Sequence, residues 1–205
     1  MIVMNDDVER FVRFCKSQLG KKVMEREAEY VYKELRNCER ILDIGCGSGS
    51  FERLLPNLNI IGLDNSKEML QEAIKRSNST FVLGDAEHLG FKDSTFDAIF
   101  TVTTLEFTGD YEKAVNEITR VTKQDGTILA MILNPESEYF KDKATRTGDY
   151  FKRIKHRDFR EIRDYVSQFY QIIKEEYFLG IRGQDIFDTN DKRYASLYVV
   201  VGVKN

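Results

Sequence analysis

Three glycines at alternate positions stand in the run Asp43-Ile-Gly45-Cys46-Gly47-Ser48-Gly49, directly after a short apolar stretch. Glycine permits tight turns and lets the backbone approach a bound molecule closely, so such a loop can cradle a ligand. Two carboxylates follow at matching places. Asp64 ends the next apolar run, 19 positions after Gly45, where it can accept hydrogen bonds from both hydroxyls of a ribose. Asp85 ends the third, within Gly84-Asp85-Ala86-Glu87, where it can accept from the exocyclic amine of an adenine while Ala86 offers its backbone amide. A dinucleotide fingerprint needs G-x-G-x-x-G to seat a pyrophosphate on a helix N-terminus. Here the third glycine comes one residue early, and Ser50 followed by bulky Phe51 stands where that motif would continue, so the loop disfavours a pyrophosphate. Each feature also has a plain reading: an ordinary strand-to-helix turn, with solvated aspartates at the strand ends.

Metal and thiol chemistry find little support. Cys15, Cys38 and Cys46 are widely spaced with no C-x-x-C pair, and His88 and His156 are single, so no metal is expected. Cys15 fits an apolar helix stripe, and the small side chain of Cys46 suits packing beneath a ligand in the glycine loop.

These residues need a frame that brings strand ends together. Val8, Phe11, Val12, Cys15 and Leu19 recur at helical spacing, as do Met24, Ala28, Val31 and Leu35, which predicts two N-terminal helices broken near Gly20. Arg40–Ile44, Ile60–Leu63, Thr80–Leu83, Phe96–Val102 and Thr127–Leu133 read as strands. Helical stripes beginning at Phe51, Met69 and Tyr111 are interleaved with them. Such alternation implies right-handed crossovers and a parallel sheet covered on both faces. After Asn134-Pro135 the pattern changes: residues 136–156 are polar and weakly periodic, which suggests an insertion or lid. Phe159, Ile162, Val166 and Phe169 give one more helix, and Tyr170–Leu179 and Ser196–Val203 two closing strands.

The chain has 205 residues, 41% hydrophobic and 32% charged, too apolar for a disordered chain and too charged for a membrane protein. A formal net charge of −3 argues against a dedicated nucleic-acid binder. The opening Met-Ile-Val-Met-Asn-Asp-Asp turns acidic at once and shows no signal-peptide core, so a cytoplasmic protein is expected.

Together, Ile41-Leu-Asp-Ile-Gly-Cys-Gly-Ser-Gly49, Gly62-Leu-Asp64 and Gly84-Asp85-Ala86-Glu87 resemble the successive cofactor motifs of class I S-adenosylmethionine-dependent methyltransferases. Phe96-Asp-Ala-Ile99 resembles the family's fourth-strand motif, and Glu117–Gly126 its helix and turn before strand five. The resemblance implies an α/β, doubly wound, Rossmann-like sheet of seven strands in the order 3-2-1-4-5-7-6, the last antiparallel. It implies S-adenosylmethionine as cofactor and S-adenosylhomocysteine as product. Gly45, Gly47 and Gly49 fall on the methionine moiety and its cradle, with Cys46 between them. Asp64 falls on the ribose, Asn65 and Met69 beside adenine and ribose, Asp85 and Ala86 on the adenine edge, and Thr101 near the methionine end. Phe14, in a stretch similar to a lid helix of a small-molecule branch, is placed over the cofactor. Gly90 departs from the family, which often has proline before an aromatic there. One domain over 1–205 is expected, with N-terminal lid helices (1–39), a cofactor-binding core (40–133), an insertion (134–158) and a C-terminal helix and strand pair (159–205).

Methyl transfer from a sulfonium is an in-line displacement, so positioning and desolvation are the main tasks. In the segment after strand four, Thr101–Phe107, Glu106 is the candidate catalytic residue, as a base or as a counterion to an amine; capping a helix is its other reading. Thr-Val-Thr-Thr there does not resemble the Asn/Asp-Pro-Pro-aromatic motif of amino-methylating DNA and protein enzymes, nor a Pro-Cys motif for pyrimidine C5. A small-molecule acceptor is therefore expected, with neither nucleic acid nor membrane as partner. Lys141–Arg163 holds nine Lys/Arg against four Asp/Glu, which leaves open an RNA or protein methyltransferase docking through 141–163. A module that binds cofactor without turnover stays open too. Tyr139, Phe140, Tyr150 and Phe151 form a candidate apolar substrate wall.

Overall fold

The computed structural model describes residues 6–146, 151 and 153–205. Seven helices flank one sheet: α1 (Asp6–Lys16), α2 (Gln18–Leu35), α3 (Ser50–Leu54), α4 (Lys67–Ile74), α5 (Tyr111–Val121), α6 (Glu138–Arg146) and α7 (Phe159–Val166), among the described residues. The strands are β1 (Ile41–Ile44), β2 (Ile60–Asp64), β3 (Thr80–Leu83), β4 (Phe96–Val102), β5 (Thr122–Leu133), β6 (Tyr170–Arg182), β7 (Asp185–Phe187) and β8 (Ala195–Lys204). They lie in the order β3-β2-β1-β4-β5-β8-β6-β7. β1 to β5 are mutually parallel, and β8 runs antiparallel between β5 and β6. The order matches the expected 3-2-1-4-5-7-6, with one strand more. The added β7 turns back on the end of β6 through Gly183 at φ 63°, a hairpin whose second strand, Asp185-Ile-Phe187, is too short to read as an apolar run.

Parallel strands buried on both faces need apolar side chains on each, and β1 supplies them alternately. Leu42 and Ile44 join one core layer with Ile99, Ile118 and Phe159, while Ile41 joins the other with Val31, Leu35, Phe51 and Phe100. This rigid centre holds the turns after β1, β2 and β3 along one edge.

Two boundaries differ from expectation. The N-terminal helices break at Ser17, not Gly20: the Ser17 hydroxyl accepts from the Gly20 amide at 3.0 Å and caps α2. Gly20 serves the packing instead, since a Cβ there would lie 1.9 Å from the Phe14 carbonyl oxygen. The fifth strand begins at Thr122, directly after α5, and turns through Asp125 at φ 59° before the apolar run that signalled it. No helix among the described residues is long and apolar enough to cross a membrane.

Candidate active site

The glycine loop is built from three left-handed backbone positions, Gly45, Gly47 and Gly49, at φ 80°, 53° and 71°. The amides of Gly45 and Cys46 both donate to the Leu63 carbonyl, at 2.7 and 3.0 Å, which fastens the turn after β1 to β2. A Cβ on Gly45 would meet Thr104 Oγ1 at 2.2 Å, so this glycine is required for space as well as for φ. Asp64 completes the turn. Its Oδ2 accepts from the Gly47 amide and its Oδ1 from the Ser66 amide, each at 2.8 Å. Burial raises the Asp64 pKa, and these backbone amides act in the opposite direction.

Beneath the loop lie two further carboxyls. Asp43 and Glu52 are each 1% exposed and face one another. Burial first, and then its acidic neighbours Glu52 and Asp64, raise the Asp43 pKa well above the ordinary carboxylate value. Glu52 is lifted, chiefly by burial, to about 7. Cys46 is buried above this pair, and burial followed by the Asp43 charge pushes its thiol pKa up, so it packs rather than reacts.

Asn65, Met69, Asp85 and Ala86 gather beyond the ends of β2 and β3. Asn65 is exposed and Met69 half-buried, and the Met69 amide donates to the Ser66 hydroxyl that caps α4. Asp85 is exposed, its Oδ1 accepting from the Glu87 amide at 2.9 Å, whereas Ala86 packs into the core.

On the other side of the glycine loop opens a cavity of about 520 Å³, within the range of small-molecule sites. Gly45, Cys46, Phe14, Thr103, Tyr139 and Leu197 are among its walls. Asp64, Asn65, Met69, Asp85 and Ala86 are not, so the expected residues divide between the ends of β2 and β3 and a half-open chamber that begins at Gly45–Cys46. Thr101 is buried on β4 just below, its hydroxyl without a hydrogen-bond partner among the described residues. Thr103, at φ 49°, reaches the chamber instead.

Glu106 is buried, but it does not line this chamber. Its Oε1 accepts from the Leu133 amide at 2.9 Å, and its carbonyl accepts from the amides of Lys155 and His156. It thus ties the end of β5 to the segment before α7. Burial lifts its pKa to about 7, with the Leu133 amide opposing. A carboxyl with a raised folded pKa loses stability as pH climbs from its unfolded value to its folded one, because only the unfolded chain ionises freely. Glu106→Gln is therefore expected to have no pH-dependent advantage near pH 4.5, and to gain up to about 3 kcal/mol over the parent above pH 7. Urea unfolding of both proteins across that range checks this; a difference independent of pH would contradict it.

The carboxylate that does line the chamber is Glu27, on the inner face of α2 and 3% exposed. Its sequence signal was a charge placed between Val23 and Val31 in an apolar stripe with i, i+4 spacing. Of the candidate aromatic wall, Tyr139 and Phe151 line the chamber, Phe140 is buried against Phe151, and Tyr150 lies outside the described residues. In the basic segment Arg160 pairs with Glu136 and Asp158, Arg163 pairs with Glu175 and Asp164, and Lys141 donates to the Glu136 carbonyl. Lys152 lies outside the described residues. His156 faces the Thr108 carbonyl at 3.1 Å, and the three cysteines are unbridged. No group of His, Cys, Asp and Glu suited to a metal ion occurs among the described residues.

A parallel sheet with an antiparallel hairpin edge, a three-glycine turn after its first strand and an acid at the end of its second defines a class I S-adenosylmethionine-dependent methyltransferase fold, and the chain belongs to that family. Residues 42–130 match the family model described as a methyltransferase domain. A demethylmenaquinone methyltransferase of Thermotoga maritima is 37% identical over 113 residues, covering 52% of this chain and 49% of the relative. The Methanocaldococcus jannaschii protein MJ1123 is 33% identical over 158 residues, covering 75% of this chain and 71% of its own. A SAM-dependent methyltransferase of Thermotoga maritima has a similar structure, with a TM-score of 0.80 at 23% identity over 97% of this chain and 96% of that one. The chain spans about half the length of the first curated relatives it matches.

Proposed function

We propose that this protein transfers the methyl group of S-adenosylmethionine to a small-molecule acceptor held in the chamber beside the glycine loop. The observation that carries the reading is the loop itself: three left-handed glycines, the middle one bonded to Asp64, underlain by Asp43 and Glu52. A pyrophosphate placed there would force more protons onto this acid pair, whereas a cation draws the pair toward ionisation. The donor set therefore fits a sulfonium nucleoside better than a dinucleotide. Asp64 would hold the ribose, Asp85 and the Ala86 amide the adenine, Asn65 and Met69 its flanks, and Gly45, Cys46, Gly47 and Gly49 the methionine portion, with Thr101 below and Phe14 above. The cofactor supplies an electrophilic methyl group. The chain's own part is to aim it into the chamber and keep water out, for which the apolar walls Phe14, Phe51 and Leu197 suit. In this reading the chain is one methyltransferase domain, with α1 and α2 as its lid, working in the cytoplasm without a metal. Glu106 positions β5 rather than touching the acceptor.

A small acceptor is favoured over RNA or protein on two grounds. The chamber is walled by α2, α6 and β8, and its volume suits a small molecule. The Thermotoga maritima relative, a demethylmenaquinone methyltransferase, also takes a small acceptor by its name. Transfer of radiolabelled methyl from S-adenosylmethionine to panels of small amines, acids and phenols, run beside RNA and protein extracts, tests this. Label in the small-molecule fraction is expected; label confined to RNA or protein would contradict it.

A further inference from the structure

The described residues that line the chamber include one carboxylate. Glu27 is 3% exposed, it lines the cavity, and its Oε2 has no hydrogen-bond partner among the described residues. An unpartnered buried carboxyl is costly, and an apolar residue of the same size would serve α2 better. Around it stand aromatic rings: Phe14 from α1, Tyr139 from α6, and Phe151. Ring faces attract cations at close range, and Lys143 Nζ already sits 5.6 Å from the centre of the Tyr139 ring. The cations Arg10 and Lys143 share this wall, and an acid beside ring faces suits a protonated amine on an apolar body. Once ionised, the acid gains a countercharge from an ammonium and none from a neutral hydroxyl.

We infer that Glu27 is the acceptor-binding carboxylate of this site, and that the acceptor is an apolar amine entering as its ammonium ion. The inference rests on the methyl-transfer reading and adds the substrate class to it. On the chamber side Glu27 takes one N–H proton, which frees the nitrogen lone pair. A carbon–nitrogen bond can then form as the methyl carbon leaves sulfur, the bonding pair staying on sulfur and the new N-methyl ammonium carrying the charge.

Burial alone lifts Glu27 to about 8, so the empty site holds a proton there at neutral pH. An entering ammonium must displace it, and the affinity for an amine should therefore climb with pH and level off above about 8. Among the described residues, the other titratable groups facing Glu27 are Cys15 and Arg10 from α1, Cys46 from the glycine loop, and Tyr139 and Lys143 from α6. Burial pushes the Cys15 thiol to about 11 and the Tyr139 phenol to about 12, so both stay neutral through that range.

The test is calorimetric titration of the whole chain with hexylamine, cyclohexylamine and phenethylamine, each beside the alcohol of the same carbon frame. Every titration is run with and without S-adenosylhomocysteine. At pH 8.5 at least one amine should bind tenfold or more tightly than its alcohol. Glu27→Gln, which keeps the shape and removes a buried acid, should erase that preference and the rise with pH while leaving the alcohol within twofold. Thermal unfolding of the variant establishes that it is folded. The inference is overturned if the parent treats every amine as it treats its alcohol, or if Glu27→Gln keeps the preference. Amine preference without any binding of S-adenosylhomocysteine would uphold Glu27 and remove the cofactor reading. Binding of S-adenosylhomocysteine without amine preference would do the reverse.

Discussion

Asp64→Ala is expected to weaken S-adenosylhomocysteine binding by about 100-fold, some 3 kcal/mol. The effect is large because the side chain has two jobs. Its carboxylate would accept from the ribose hydroxyls, as charge-assisted hydrogen bonds that exceed neutral ones in strength. It also fixes the cradle, through the Gly47 and Ser66 amides at 2.8 Å. Asp64→Asn separates the two: the amide retains one acceptor but not the charge, and should lose about tenfold. Isothermal titration of the three proteins measures this, and an Asp64→Ala variant that binds like the parent would contradict the assignment.

Gly45→Ala should be the most damaging single change in the loop. A Cβ there would sit 2.2 Å from Thr104 Oγ1 and 2.6 Å from its methyl group, and φ 80° is itself strained for any residue bearing a Cβ. Overpacking costs about 1–3 kcal/mol and a left-handed position about 1–2 more. A combined loss of about 3 kcal/mol would lower the melting temperature by roughly 10 °C in a chain of this size. All three atoms nearest that Cβ belong to the Thr104 side chain, and removing two of them by Thr104→Ala in the same protein should restore the steric share but not the backbone share. Calorimetric melting of the single and double variants decides; equal melting of Gly45→Ala and the parent would show that the loop is looser than its contacts imply.

The central strands were legible because a strand buried on both faces is mostly apolar, and Ile41–Ile44, broken only by Asp43, and Ile60–Leu63 are such runs. The glycine loop was legible because left-handed backbone leaves few residue choices. What stayed hidden depends on partners distant in sequence. The helix break at Ser17 is set by a local cap, and Gly20 looked like the breaker only because its close contact with Phe14 cannot be read along the chain. β7 is only three residues long and the first residues of β5 are polar, and they pair as strands because neighbouring backbones offer partners. Glu106 follows β4 as a site residue would, but the short turn Leu105–Phe107 brings its carboxylate to the Leu133 amide. Glu27 stands out in an apolar helix stripe, but its place on a chamber wall depends on α2, α6 and β8 coming together.

The most direct test of the account is isothermal titration of the intact chain with S-adenosylhomocysteine and, separately, with NADH. The account predicts micromolar binding of the sulfur nucleoside and no heat from NADH. A folded chain that binds NADH, or that leaves S-adenosylhomocysteine unbound, would contradict it.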